Sequence, residues 1–178
     1  MSPGPSLAKT VWTDADFDQM SWHDCAVHAL AVEPAPPYPG RLLVDLDYIV
    51  EWVCPTAPSN AFAFWICPAT LAFDQAWDLV GDINLQGFSF ELALNALARS
   101  GPDEHDAFEW TLVGHEFTLT LGAAGFTQYL RRPPIQSPRQ RLSLEEREDS
   151  ASTSTAIAPW LTARRLLTRR QPVQRVHR

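Results

Sequence analysis

Between residues 41 and 52 the chain alternates. Leu42, Val44, Leu46, Tyr48, Val50 and Trp52 take the even positions, and Asp45, Asp47 and Glu51 stand among the odd ones. A period of two is that of a strand buried on one face. Trp22 to Val32 alternates less cleanly, with His23, Cys25, Val27, Ala29 and Ala31 on one side and Trp22, Asp24, Ala26, His28 and Leu30 on the other. Pro34-Ala-Pro-Pro-Tyr-Pro-Gly40 between them is loop punctuation, so the two segments read as a hairpin. Ala61 to Ile66 is continuously apolar, the pattern of a strand covered on both faces, and Pro68 asks for a bulge or an edge. Ala69 to Ile83 alternates again, Leu71, Phe73, Trp77 and Leu79 facing one way and Thr70, Asp74, Asp78 and Asp82 the other.

Phe88 to Ala98 has apolar residues at a spacing of two and reads as a strand, although Glu91 to Arg99 is also good helix material. Val113-Gly114-His115-Glu116 places glycine first in a two-residue turn, which sets Leu112 against Phe117, Trp110 against Leu119 and Phe108 against Leu121. A turn at Gly122–Gly125 leads to Phe126–Leu130, and Arg131-Arg-Pro-Pro134 stops the sheet. Ahead of all these, Asp14 to Met20 can form one helical turn capped by Thr13 or Asp14. The expectation is an all-β fold, an antiparallel meander of about seven to eight strands closed as a barrel or stacked as a sandwich. It spans residues 12–132, after a disordered N-terminus at 1–11 rich in Pro, Gly and Ser. Residues 133–178 read as a disordered Arg-rich tail, with a short basic amphipathic helix at 158–170 as the alternative.

Charge divides the chain at the same place. Residues 1–130 hold 17 acidic and three basic side chains (Lys9, Arg41, Arg99), whereas 131–178 hold 11 arginines and four acids. The acidic body lacks the clustered cations that phosphate contact needs, which argues against nucleic acid as a partner except through the tail. Three cysteines, Cys25, Cys54 and Cys67, make neither a disulfide framework nor a CxxC metal motif. The first nine residues lack the basic start and apolar run of a secretory signal. No apolar run approaches the ~20 residues of a transmembrane helix. These features lead to the expectation of a cytoplasmic protein. No GxGxxG after a strand, GxxxxGK[ST], HExxH or GxSxG occurs. Of the seven tryptophans, Trp22, Trp52, Trp65, Trp77 and Trp110 are read as core filling, with the lining of a pocket as the alternative.

Three segments carry a resemblance: Trp22-His-Asp-Cys-Ala-Val-His28, Asp45-Leu-Asp-Tyr-Ile-Val-Glu-Trp52 and Phe64-Trp-Ile-Cys-Pro-Ala-Thr-Leu-Ala-Phe73. In order and spacing they resemble an uncharacterised family of small bacterial proteins, over about residues 17–132. That family carries Trp-His-Asp-x-x-[Ile/Val]-His, Asp-x-Asp-Tyr-[Ile/Leu] and Pro-Ala-Thr-Leu motifs. The likeness implies no mechanism. More loosely, the chain resembles the small acidic immunity-type proteins found near bacterial toxin genes, which neutralise a toxin by covering it. That resemblance implies a basic protein partner.

The hairpin of 22–32 with 41–52 also gathers candidate chemistry. Keeping the apolar sides together puts Asp24, His28, Asp45, Asp47 and Glu51 on the opposite face. With residues 33–40 as the loop, Val32 pairs with Arg41, His28 lies opposite Asp45, and Asp24 lies opposite Ile49. Imidazole and carboxylates at this spacing can ligate a divalent metal, of unknown identity, or Asp45 can hold His28 in one tautomer for acid-base work. Alternating acids are also what a solvated strand face shows. No residue is assigned as catalytic and no cofactor is named, so the reading leans away from an enzyme. The leading function is a non-enzymatic interaction protein that binds a basic protein partner. The alternative is a metal- or small-ligand-binding β-barrel that uses the Asp/His face, with hydrolysis as its extension.

Overall fold

Where the sequence suggests two strands separated by Pro68, the structure has one. The computed structural model describes residues 4–35, 38–85, 91–104 and 107–147, without the side chains of Tyr38 and Pro39. The elements are β1 (Val11–Thr13), a 3-10 helix (Asp14–Gln19), β2 (Cys25–Ala35), β3 (Tyr38–Val53), β4 (Ala63–Ile83), β5 (Leu92–Ser100), β6 (Phe108–Gly114), β7 (Phe117–Ala123), β8 (Gly125–Leu130), β9 (Ile135–Ser137) and a helical turn, α1 (Leu144–Arg147). Every strand pairing is antiparallel, and the protein is all-β.

β4 is the spine. One edge pairs with β3 from Ala63 to Ala76. Along the other edge run β9 opposite residues 64–66, β8 opposite 69–74 and β7 opposite 77–83, so the chain from 117 to 137 travels back along the whole strand. Pro68 falls in the gap between β9 and β8, and its carbonyl accepts the Arg131 N–H at 2.8 Å. In an antiparallel ladder the N–H and C=O of one residue point the same way. The N–H that proline lacks would therefore point where no strand asks for it, which is how a proline survives inside a central strand. Neighbour-to-neighbour pairing then runs β4, β3, β2, β5, β6, β7 and back to β4. The ring closes as a barrel, and only β8, β1 and β9 lie off it.

The interior is filled from alternating positions: Val44 and Leu46 of β3, Leu71 and Phe73 of β4, Leu94 of β5, Trp110 and Leu112 of β6, Leu121 of β7 and Phe126 of β8 are all essentially inaccessible to solvent. Trp110 makes ring contacts with Phe17, Phe73, Phe108 and Phe126. Trp22 donates its indole N–H to Gln128 Oε1 at 2.8 Å, both buried. The helical turn expected at Asp14 is the 3-10 helix, and Asp16 Oδ2 accepts the Thr13 N–H at 3.0 Å. Two of the five tryptophans assigned to the core, Trp52 and Trp77, lie exposed instead.

Both expected hairpins form, with shifted registers. In β2–β3 the partners are Val32 with Leu42 and Ala29 with Asp45, but Val27 with Leu46, so His28 is the extra residue of a bulge. The bulge reverses which parity faces inward, and this overturns the expected pairing of Val32 with Arg41 and His28 with Asp45. Cys25 and Val27 are buried before it, while Leu30 packs on the core after it and Ala29 is exposed. In β6–β7 Leu112 meets Leu119 and Trp110 meets Leu121, two residues from the expected register. A two-residue slip keeps every side chain on its face, so the pattern could not detect it.

The folded chain continues past residue 132, where the sequence reading ends the β domain. β9 pairs with β4, Leu142 is buried in the core, and one compact unit extends through Arg147. At the other end, Val11 is already in β1. The alternative helix at 158–170 and the first residues of the strand expected from Phe88 lie outside the described residues. Among the described residues no helix is long and apolar enough to cross a membrane.

Trp110 is the test of this packing. Trp110→Ala removes the ring at the centre of the aromatic cluster and is expected to destabilise the barrel by about 3–5 kcal/mol, read as a fall in the urea midpoint at unchanged slope. A loss below about 1 kcal/mol would mean that the ring does not organise the core.

Candidate functional site

The bulge at His28 aims its imidazole at β3. Nε2–H donates to Asp47 Oδ2 at 2.8 Å, and Asp47 itself is completely buried. The same oxygen accepts the backbone N–H of Leu142 at 2.8 Å, and Oδ1 is held by the Arg147 guanidinium. Arg147 also binds Asp45, which takes a second guanidinium from Arg131. Two carboxylates therefore share two guanidinium groups and an imidazole. An unpaired buried carboxylate is costly, and each lone pair satisfied by a charged donor reduces that cost.

The donors arrive by a definite local route. Beyond Arg131, β9 carries the chain along β4, and residues 138–147 then cross the outer side of β3. Ser143 and Glu146 form a reciprocal cap, with Ser143 N–H to Glu146 Oε2 at 2.7 Å and Glu146 N–H to Ser143 Oγ at 3.2 Å. Hydrogen bonding to the carboxylate from the Ser143 backbone N–H, and then from its side chain, holds the Glu146 carboxyl below its ordinary range. The turn they start ends at Arg147, only 8% exposed and lying on the two carboxylates. Gln140 donates to Asp24 Oδ2 at 2.9 Å, and Arg141 to the Leu92 carbonyl at 3.3 Å.

The five residues singled out in the sequence divide into three sets. His28, Asp45 and Asp47 come together. Asp24 does not lie opposite Ile49 in a strand; it precedes β2 in the left-handed region (φ 60°), with His23 Nε2 at 3.7 Å, His115 Nε2 at 3.6 Å and Gln140 around its carboxylate. Glu51 stands beyond a second bulge, at Val50, and is exposed opposite Trp65. The face is therefore covered at its centre and open only at its margins, which corrects the picture of a solvated acidic strand. Among the described residues no group of three or more His, Cys, Asp or Glu side chains is arranged to hold a metal ion. Sequence reasoning missed Arg131, Gln140, Leu142 and Arg147. The Ser143-Leu-Glu-Glu146 capping pattern was the signal that could have shown ordered chain there.

Under this cluster lie two buried thiols. Burial pushes Cys25 and Cys67 up to about 12, and the Asp47 carboxylate adds repulsion to both. Burial does the same to the Tyr48 phenol, also to about 12. Comparison with family models, curated proteins and solved structures gave no match.

Two predictions follow from the cluster. Arg147→Ala leaves Asp47 buried without its guanidinium and should cost about 3–5 kcal/mol, whereas Arg131→Ala, at the partly exposed Asp45, should cost no more than about 1 kcal/mol. Equal losses in urea denaturation would show that Asp47 does not depend on Arg147. For the thiols and phenol the unfolded values are 9.0, 9.0 and 10.0 and the folded ones are higher, so ionisation favours the unfolded chain. Their contribution to stability is complete below about pH 9 and is lost as pH rises toward about 12. A urea midpoint that stays level from about pH 9 to about pH 11 would contradict this.

Proposed function

We propose that the protein is a non-enzymatic interaction protein of the cytoplasm whose acidic β domain binds a basic protein partner, in the manner of small acidic immunity proteins. The observation that carries the reading is the occupation of Asp45 and Asp47 by guanidinium groups. The residues best placed for metal or acid-base chemistry are engaged by Arg131 and Arg147 of the same chain. Their pairing supports the reading by example, since a planar cation can be held by several carboxylate oxygens at once. The excess of 17 acids over three bases in residues 1–130 attracts such groups at a distance, which speeds encounter with a basic protein. The alternative, a metal or small ligand at the Asp/His face, requires Arg147 and the Leu142 N–H to leave Asp47 first.

Titration of the full chain with a nona-arginine peptide tests this reading. Binding should weaken at least tenfold between about 0.05 and 0.5 M salt, where screening shortens the reach of charge. A peptide with glutamine in place of arginine should not bind. Absent or salt-independent binding of the arginine peptide would overturn the proposal.

A further inference from the structure

The outer face of the barrel carries a groove that the interactions described so far leave open. Trp77 of β4 sits opposite Gly122 of β7, and Glu109 of β6 faces the same glycine from the other side. A Cβ on Gly122 would lie 2.2 Å from Trp77 Cε2, so the indole rests directly on glycine backbone. The glycine forms a floor between an aromatic wall and a carboxylate wall. This groove, of about 610 Å³, is completed by Val80, Phe108, Asp78 and Asp103. A second hollow of about 340 Å³ shares Trp77 and Asp78, so the indole stands as a ridge between two depressions.

The surface here is apolar and acidic at once. Trp77, Leu79, Val80 and Ile83 are 37, 42, 62 and 50% exposed within seven residues of one strand. An exposed apolar patch of this kind marks a contact surface in a stable protein. Three carboxylates line the larger groove, and no lysine or arginine does so among the described residues. Asp103 also accepts the Ala107 N–H at 3.0 Å. Indole faces attract cations, carboxylates pair with them, and the methylene stems of arginine and lysine cover residues such as Val80.

We propose that the Trp77 groove is the docking site for an extended arginine- or lysine-bearing segment of a basic protein partner. The inference rests on the proposed function and gives it an address. A side chain of the segment lies on the indole with its charge between Asp78 and Glu109, and neighbouring apolar residues cover Val80 and Leu79.

The test uses the full chain and a peptide of alternating arginine and leucine, with calorimetry and the indole N–H resonance of Trp77, assigned through Trp77→Phe, as readouts. The expected result is a shift of that resonance on binding. The Asp78→Asn/Glu109→Gln pair should weaken binding at least about fivefold, Trp77→Ala should do the same, and Glu51→Gln, on β3 opposite Trp65 and so near the other end of β4, should change nothing. Asparagine suits the left-handed backbone at Asp78 (φ 49°), so the paired variant remains informative if Trp77→Ala does not fold. Peptide binding that spares the Trp77 resonance and is unaffected by the paired variant would refute the groove and leave the basic-partner reading standing. Failure of both this peptide and nona-arginine to bind the wild-type chain would overturn both.

Discussion

A strand of 21 residues cannot be left with an open edge, because every second residue on it presents an N–H and a C=O that must find partners. β4 meets this demand with two different solutions. β3 covers one edge from Ala63 to Ala76, and the chain from Phe117 to Ser137 covers the other in three successive pieces. The barrel, the position of the C-terminal crossing and the Trp77 groove all follow. The interruption at Pro68 sets where β8 stops and Arg131 turns outward, and the irregular register between Trp77 and Val80 sets where the indole lies across β7.

Burial of Asp47 then decides the character of the outer β2–β3 face. A carboxylate without solvent exposure needs cationic or N–H donors on both oxygens, and those it has come from two segments far apart in sequence: the bulge at 28, and the crossing segment with its backbone amide at 142 and guanidinium at 147. Meeting all three requires the chain after β9 to be ordered. The cluster is thus a structural lock between the start of the barrel and its end, and the acidity left for recognition lies elsewhere on the surface.

Much of this fold was legible from periodicity. The alternation at 41–52 and the apolar run at 61–66 identify β3 and β4, because burial on a pleated surface acts on every second residue. The hairpin register was less accessible. A bulge at His28 changes no composition; it exists because the core needs Cys25 and Val27 before it and Leu30 after it, a tertiary requirement. At the site, proximity of His28, Asp45 and Asp47 followed from strand parity, whereas their partners followed from nothing local. Arg147 sits in a segment whose serines, glutamates and arginines have the composition of a solvated tail, and only its attachment to Asp47 makes it part of the fold. Trp77 was misread because a large aromatic at an apolar-parity position is normally interior; Gly122 is what allows it to lie outside.

The order in which the lock closes has a consequence for biosynthesis. A ribosome delivers Asp47 100 residues before Arg147, and His28 earlier still. The nascent barrel must therefore wait, with its most demanding carboxylate accessible to water, until nearly the whole domain has left the exit tunnel. Maturation is thereby tied to the synthesis of residues 138–147, and a product that stops short of them carries an unanswered internal charge by which it can be distinguished from the folded domain.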